Sequence, residues 1–292
     1  MVNGDSRILF VALIVTVGLS MGCSTLPGER AATTIHAQDD GAAVFAQGRV
    51  AYLRGDATQA DQAFSAAIAL APERSDVWNG RGLALVRLGR LKEAAEHFSA
   101  AAERDPINAR YRRNLGVAYL AAGNPEAALP HLERAVDLAP ESALGLAHRG
   151  LAYSRLGRFS DAIRDLSEAA KLAPSHAVIY LNRGVAYAKQ GGYADARRDF
   201  NQAIALNDQL YHAYESRGLV AILQGDAVQA TSDFSKAIAL GGQDGLNYYN
   251  RALATLVTGN GSDVREDYHE ACRLGVPQAC SELVSLVNTL LP

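Results

Sequence analysis

Three cysteines, seven histidines and two columns of charge held in phase are the residues with chemistry to offer in this 292-residue chain. Cys23 follows Met21-Gly22, and Cys272 and Cys280 lie near the C-terminus with seven residues between them. The histidines, His36, His97, His131, His148, His176, His212 and His269, are scattered. None stands at metal-ligand spacing with another. Only His269 is near the cysteine pair, too few ligands for a tetrahedral metal site. No nucleophile motif and no phosphate-cradling glycine loop is present, so catalysis has no support and no cofactor or metal is implied. The charge columns are more regular. Arg149, Arg183, Arg217 and Arg251 are each followed 16 residues later by Asp165, Asp199, Asp233 and Asp267. Earlier in the chain the acidic position holds His97 and His131 instead. Joint appearance predicts that the two side chains meet as structural ion pairs; separate surface charges are the alternative.

The elements that would bring those charges together repeat every 34 residues. One small-residue column runs Gly48, Gly82, Gly116, Gly150, Gly184, Gly218 and Ala252. A second runs Gly55, Gly89, Gly123, Gly157, Gly191, Gly225 and Gly259. Alanines follow in step at 60, 94, 128, 162, 196 and 230, and again from 67 to 271. Apolar residues at helical spacing flank the second glycine on both sides, which reads as two amphipathic helices joined by a tight turn. A glycine inside a helix costs about 1 kcal/mol relative to alanine. Its recurrence at one phase therefore predicts close approach of two helix backbones. Phe64, Phe98, Leu132, Leu166, Phe200, Phe234 and Tyr268 are the bulk expected to fill the space between them. Pro72, Pro106, Pro140 and Pro174 close the units, and Asp208 and Gly242 replace that proline later. Pro130 falls inside a second helix, where it should remove a hydrogen bond and bend it.

The period and this pattern resemble the tetratricopeptide repeat family over roughly residues 41 to 278. The resemblance implies an all-α fold, a right-handed α-solenoid of about seven helix-turn-helix units occupying residues 41–276. The units begin near 41, 75, 109, 143, 177, 211 and 245. Residues 277–292 read as a capping helix opening at Pro277, with Leu283, Val284, Leu286, Val287 and Leu290 covering the end of the core. The apolar content of 49% is ample for one continuous core, and a formal charge of −3 argues against nucleic acid as partner.

Residues 1–23 read as a secretion signal. Arg7 precedes an apolar run from Ile8 to Leu19, too short to span a bilayer comfortably. Leu19-Ser20-Met21-Gly22-Cys23 resembles the bacterial lipoprotein signal, which implies lipidation of Cys23 as the new N-terminus. It departs from that pattern in placing Ser20 where leucine is preferred, and Asp5 weakens the basic leader. A plain cleaved signal or a retained anchor are the alternatives. Ser24 after the cysteine implies sorting to the outer membrane of a cell envelope, facing the periplasm. Residues 24–40 are polar and aperiodic, and read as a flexible tether.

Two further expectations come from resemblance. Glu270 to Gly275 with Ala279-Cys280 resembles cysteine-bearing helical hairpins related to the tetratricopeptides, implying a Cys272–Cys280 disulfide. Two buried thiols packed as small apolar residues are the other reading. In the family the first helix of each unit lines a groove. Carried over by position, Asn114, His148, Asn182, Ser216 and Asn250 face it, with Arg49, Arg87, Arg110, Arg113, Arg155 and Lys189 on a basic rim. Such a groove suits an extended or helical peptide carrying acidic residues; the alternative is a floor that only packs helix on helix beneath a solvated rim. The expected function is a lipid-anchored adaptor gathering peptidoglycan enzymes or proteases. Rivals are a pilotin-like assembly factor for a type IV pilus or secretion system, and a self-assembling scaffold; the oligomeric state is open.

Overall fold

The tight turn between paired helices depends on one residue type. At Gly191 φ is +87°, a left-handed conformation that costs glycine nothing and other residues strain. There the Gly191 N–H donates to the Ala188 carbonyl at 3.1 Å and the Gly192 N–H to the Tyr187 carbonyl at 2.9 Å. This satisfies carbonyls at the end of the first helix before the second begins. The same conformation recurs at Gly55, Gly89, Gly123, Gly157 and Gly225. Second helices open on side-chain caps where the sequence offers one. Asp56 accepts from the Gln59 N–H at 2.8 Å, and Asn124 from the Ala127 N–H at 3.0 Å.

The computed structural model describes residues 37–258 and 264–290, with side-chain detail for 41–258 and 264–284. Cys23, the signal, the tether up to His36, and Gly259 lie outside the described residues, as do the side chains of Leu286, Val287 and Leu290. Among the described residues the fold is all-α, a helical-repeat solenoid, and no helix is long and apolar enough to cross a membrane.

The described chain forms two compact units. Residues 37–172 hold α1 (Ala37–Leu53), α2 (Ala57–Leu70), α3 (Ser75–Arg87), α4 (Leu91–Arg104), α5 (Ala109–Ala121), α6 (Pro125–Leu138), α7 (Ala143–Arg155) and α8 (Phe159–Leu172). From residue 173 onward come α9 (Ala177–Lys189), α10 (Tyr193–Leu206), α11 (Tyr211–Leu223), α12 (Ala227–Ala239), α13 (Gly245–Thr258), α14 (Val264–Arg273) and α15 (Pro277–Leu290). Each odd-numbered helix up to α13 packs on the even-numbered helix after it, and α15 packs on α14. The expected unit starts at 75, 109, 143, 177, 211 and 245 coincide with the first residues of α3, α5, α7, α9, α11 and α13. One boundary needs correcting: residues 37–40, read as tether, are helical, because α1 reaches back to Ala37. Pro130 lies inside α6, which is one helix from Pro125 to Leu138 with Leu132, Ala135 and Val136 buried beyond the proline.

The glycine column has the predicted packing reason. A methyl built at Gly184 would lie 2.6 Å from Phe200 Cε1 and 3.2 Å from the Ala196 carbonyl oxygen. Gly48 meets Phe64, Gly82 meets Phe98, and Gly116 meets Leu132 in the same way. These large side chains are fully buried, so the helix contact is a ring or branched chain laid on bare backbone.

Cys272 on α14 and Cys280 on α15 form a disulfide, with Cα atoms 4.8 Å apart. Ala279 is buried and Leu283 packs against the same cluster as Tyr268. Val284, expected to help cover the core, is exposed instead. Closing so short a loop stabilises by roughly 2.5 kcal/mol through chain entropy. The Cys272→Ser/Cys280→Ser variant should therefore lose amide-exchange protection in α15 by about that free energy while α9 to α12 keep theirs. Unchanged protection in α15 would show the bond to be idle.

Candidate functional site

The paired charge columns meet as expected. In unit 37–172, Arg149 Nε donates to Asp165 Oδ2 at 2.6 Å and Nη2 to Oδ1 at 3.0 Å. In the other unit Arg183 grips Asp199 at 2.7 Å through both nitrogens. Arg217 holds Asp233 at 2.9 and 2.7 Å, and Arg251 holds Asp267 at 2.8 and 2.6 Å. Each is a two-pronged bond across one helical hairpin, the geometry a planar guanidinium favours. The aspartates are nearly sealed (2–9% side-chain exposure) and the arginines about one-fifth exposed. Hydrogen bonding to Asp199, more than burial opposes it, raises the pKa of the Arg183 guanidinium above its ordinary value. A further partner was not anticipated. Arg217 Nη1 also reaches Asn201 Oδ1 at 2.6 Å, and Arg251 Nη1 reaches Ser235 Oγ at 3.3 Å, each 16 residues back. The signal existed as the same spacing read in the other direction. Arg81, whose own unit offers His97, turns back to Asp61 at 2.7 Å, which Arg90 shares at 3.0 Å.

The column expected to face a groove lies deeper than its assignment. Asn114 and His148 in unit 37–172 are each 3% exposed, and Asn182, Ser216 and Asn250 in the other unit are 4–7% exposed. They sit two residues before the small-residue column, where the close helix contact excludes solvent. Asn114 Nδ2 donates to Asn79 Oδ1 at 2.8 Å, joining α5 to α3; Asn79 was not foreseen. Asn182 Nδ2 has no partner. Two residues of the expected basic rim bond backbone carbonyls. Arg87, the last residue of α3, donates from Nη1 to the Tyr52 carbonyl at 2.6 Å and stacks 3.9 Å over that ring. Arg155, the last residue of α7, donates to the Leu120 carbonyl. Both close the C-terminal end of the preceding first helix, where cations are favoured. Burial lowers the pKa of Arg155, and likewise of Lys189 at the end of α9.

What the arrangement leaves for recognition is concentrated on α5. Arg110 is exposed with its guanidinium over the Tyr111 ring, and Arg113 is part-buried one turn on. Burial, then repulsion from Arg110, lowers the pKa of Arg113. Neither arginine pairs with a carboxylate among the described residues. Beside α13 and α14 a hollow of about 660 Å³ is lined by Tyr248, Arg251, Asp267, His269 and Glu270. There Arg251 and Asp267 hold each other and Glu270 holds Arg273. Among the described residues no group of three or more His, Cys, Asp or Glu is placed to hold a metal.

Family models described as tetratricopeptide repeat match residues 45–106, 79–143 and 177–210, and one described as TPR repeat matches 150–191. No curated protein matches the chain. Among solved structures, a tetratricopeptide repeat protein from Parabacteroides merdae superposes with a TM-score of 0.66 at 21% identity, over 85% of this chain and 98% of that one. PilW, a widely conserved type IV pilus biogenesis factor, matches with a TM-score of 0.66 at 19% identity, over 72% of this chain and 98% of its own. PilF of Pseudomonas aeruginosa gives 0.64 at 19%, over 72% and 97%. At these identities the likeness is one of fold.

Proposed function

Because this chain belongs to the tetratricopeptide repeat family, we propose that it is an adaptor for other proteins, held at a membrane of the cell envelope by a lipid on Cys23. Tetratricopeptide arrays bind peptide segments of partner proteins, and the chain is a protein–protein interaction scaffold in that sense. The observation that carries the finer reading is the pair Arg110 and Arg113 on α5, neighbouring cations without carboxylate partners among the described residues, where Arg149, Arg183, Arg217 and Arg251 each hold an aspartate. A partner segment bearing acidic residues supplies what they lack. The signal-like residues 1–23 support an envelope location, and Ser24 an outer-membrane lipoprotein facing the periplasm. Catalysis is not part of this function.

Two partner classes fit such an adaptor: peptidoglycan enzymes or proteases, and components of a type IV pilus or secretion system. The fold likeness to PilW and PilF favours the second as an alternative. One experiment tests the whole reading: capture from detergent-extracted envelope with the full-length chain, compared with the Arg110→Glu/Arg113→Glu and Cys23→Ser variants. Charge reversal should reduce recovered partners about tenfold or more without changing the melting curve. The Cys23→Ser variant should leave the membrane fraction and keep its partners. Equal recovery by the charge-reversed chain would remove binding from α5, and membrane retention of the serine variant would remove the lipid.

A further inference from the structure

The first hairpin leaves bare positions that later hairpins cover. In α3, α5, α7, α11 and α13 the third residue of the unit is buried, as at Val77, Tyr111 and Ala213. The second helix of the hairpin before packs on it: a methyl built at Gly145 would lie 3.5 Å from Val136 on α6. The tenth residue is sealed likewise, at 0% exposure for Ala84 and Ala118 and 1% for Val220. Among the described residues α1 has no second helix before it. Its matching residues, Ala43 and Val50, are exposed, Val50 by 45%, and Leu53 beside them by 62%. Ala46 is exposed as well, where its counterpart Gly80 faces Phe64 on α2. A hollow of about 380 Å³ opens here, lined by Ala43, Ala46, Gln47, Val50, Arg54 and Ala63.

A terminal repeat that faces water carries a polar outer face. This one lacks even the charged pair of the later units, because Gln47 and Ala63 stand in the columns of Arg149 and Asp165. The residues before α1 do not spell the missing cover. The 34-residue period would place a further second helix at residues 23–36, and α1 already begins at Ala37, which leaves no connecting turn. Arg30 would take the place of the bulk at Phe64 and Phe98, and Pro27-Gly28 would fall in the helix interior. A copy of the same face is a better match. Val50 and Leu53 are exposed beside small Ala43 and Ala46. The sequence of α1 is acidic at its start, with Asp39 and Asp40, and basic toward its end, with Arg49 and then Arg54.

We propose that this face is a two-fold interface between two copies of the chain, with α1 antiparallel to α1 and the axis passing between Ala46 and Gln47. That register sets Val50 of one copy against Ala43 of the other, so each hollow receives the other copy's valine. It also sets the basic end of each α1 beside the acidic start of its mate. A closed pair covers both faces and leaves neither free for a third copy. The 17 residues of α1 make a face about 25 Å long and two helices wide, so the pair buries roughly 1,000 Å² in total. That is the lower end of specific association, and the dimer is reversible.

Sedimentation equilibrium of the full-length chain in density-matched detergent reads the stoichiometry. The wild-type chain should pass from monomer to dimer as its concentration rises to about 100 micromolar. Val50→Glu/Leu53→Glu should weaken the dimer about a hundredfold or more, because the two-fold repeats each buried charge. Val228→Glu, at an exposed valine on α12 of the other unit, should leave it unchanged. All three positions are exposed, so melting curves should match the wild type. A second readout uses proximity. In the Cys23→Ser background, Ala46→Cys beside the axis should form an interchain disulfide under diamide at least about tenfold faster than Val228→Cys. A wild-type chain that stays monomeric at about 100 micromolar overturns the proposal, whether the face is bare or covered by residues 24–36. So does a dimer that survives Val50→Glu/Leu53→Glu, a series of larger species in place of a dimer, or equal crosslinking at the two cysteines. None of these outcomes touches the adaptor reading, which rests on Arg110 and Arg113 of α5.

Discussion

Phe200→Ala is expected to cost unit 173–290 about 3–5 kcal/mol, while Phe200→Leu costs about 1 kcal/mol. Phe200 is fully buried, and its ring lies against the bare backbone of Gly184 on the facing helix. Around it Ala196 and Ala203 are already among the smallest residues available, and they are completely buried. The walls therefore cannot collapse into the space an alanine would leave, and the cavity term stays near its maximum. Leucine is different, since the chain itself places Leu132 and Leu166 in this column opposite Gly116 and Gly150. Urea unfolding monitored by the tyrosines of this unit checks both numbers. If alanine cost no more than leucine, the contact with Gly184 would not be what holds α9 to α10. A corollary concerns the glycine. Alanine at 184 gains about 1 kcal/mol of helix propensity but must push the ring aside, so it should be better tolerated in the Phe200→Leu background.

This contact also explains why so much of the fold was legible. A glycine is visible in sequence only when its absence of a side chain is repeated, and here both glycine columns keep phase across the array. The turn glycines announce hairpins because only glycine sits at φ near +80° without strain. The helix glycines announce packing because nothing else explains their cost. Boundaries failed where those markers stop. Residues 37–40 include Asp39-Asp40 and precede Gly41, which reads as a break, yet Gly41 packs against the Cβ atoms of Leu70 and Ala71 and α1 continues through it. Val284 reads as core by its apolar character alone, but one residue past the packed Leu283, about 100° around α15, faces it to solvent.

The candidate site was less legible, for a different reason. Periodicity gives the phase of a residue around a helix but not its depth. The column Asn114, His148, Asn182, Ser216 and Asn250 shares a phase that resemblance assigns to a groove, but it adjoins the helix-helix contact and is sealed by it. Arg87 and Arg155 were read as a rim because their partners, the carbonyls of Tyr52 and Leu120, belong to the backbone and leave no mark in the sequence. Arg81 found Asp61 at a spacing of 20 rather than 16, outside the column being followed. The pairs from Arg149–Asp165 onward were readable because both partners are side chains at one constant interval. Cys23 and the groups that would set its lipidation lie outside the described residues, so its assignment stands on the motif.

Those pairs carry the second large effect. Arg183→Ala should destabilise by about 3–5 kcal/mol, because it strands the Asp199 carboxylate with 9% side-chain exposure and removes both of its guanidinium donors. Asp199→Ala should cost less, since the arginine left behind is twice as exposed at 18% and its long stem can carry the charge toward water. The asymmetry separates a desolvated pair from a surface one, for which either truncation costs under about 1 kcal/mol. A double-mutant cycle should give a coupling of about 1–3 kcal/mol. The double replacement Arg183→Met/Asp199→Leu goes further. If the pair contributes mainly by matching a buried charge, apolar residues of similar volume should recover most of the loss. Four hairpins use this pair, and a two-pronged charged bond favours one alignment of α9 on α10. The apolar double variant should therefore keep the stability yet loosen the register, seen as faster amide exchange within α9 and α10 at unchanged global unfolding free energy. Unchanged exchange would leave the ladder without a role in setting register.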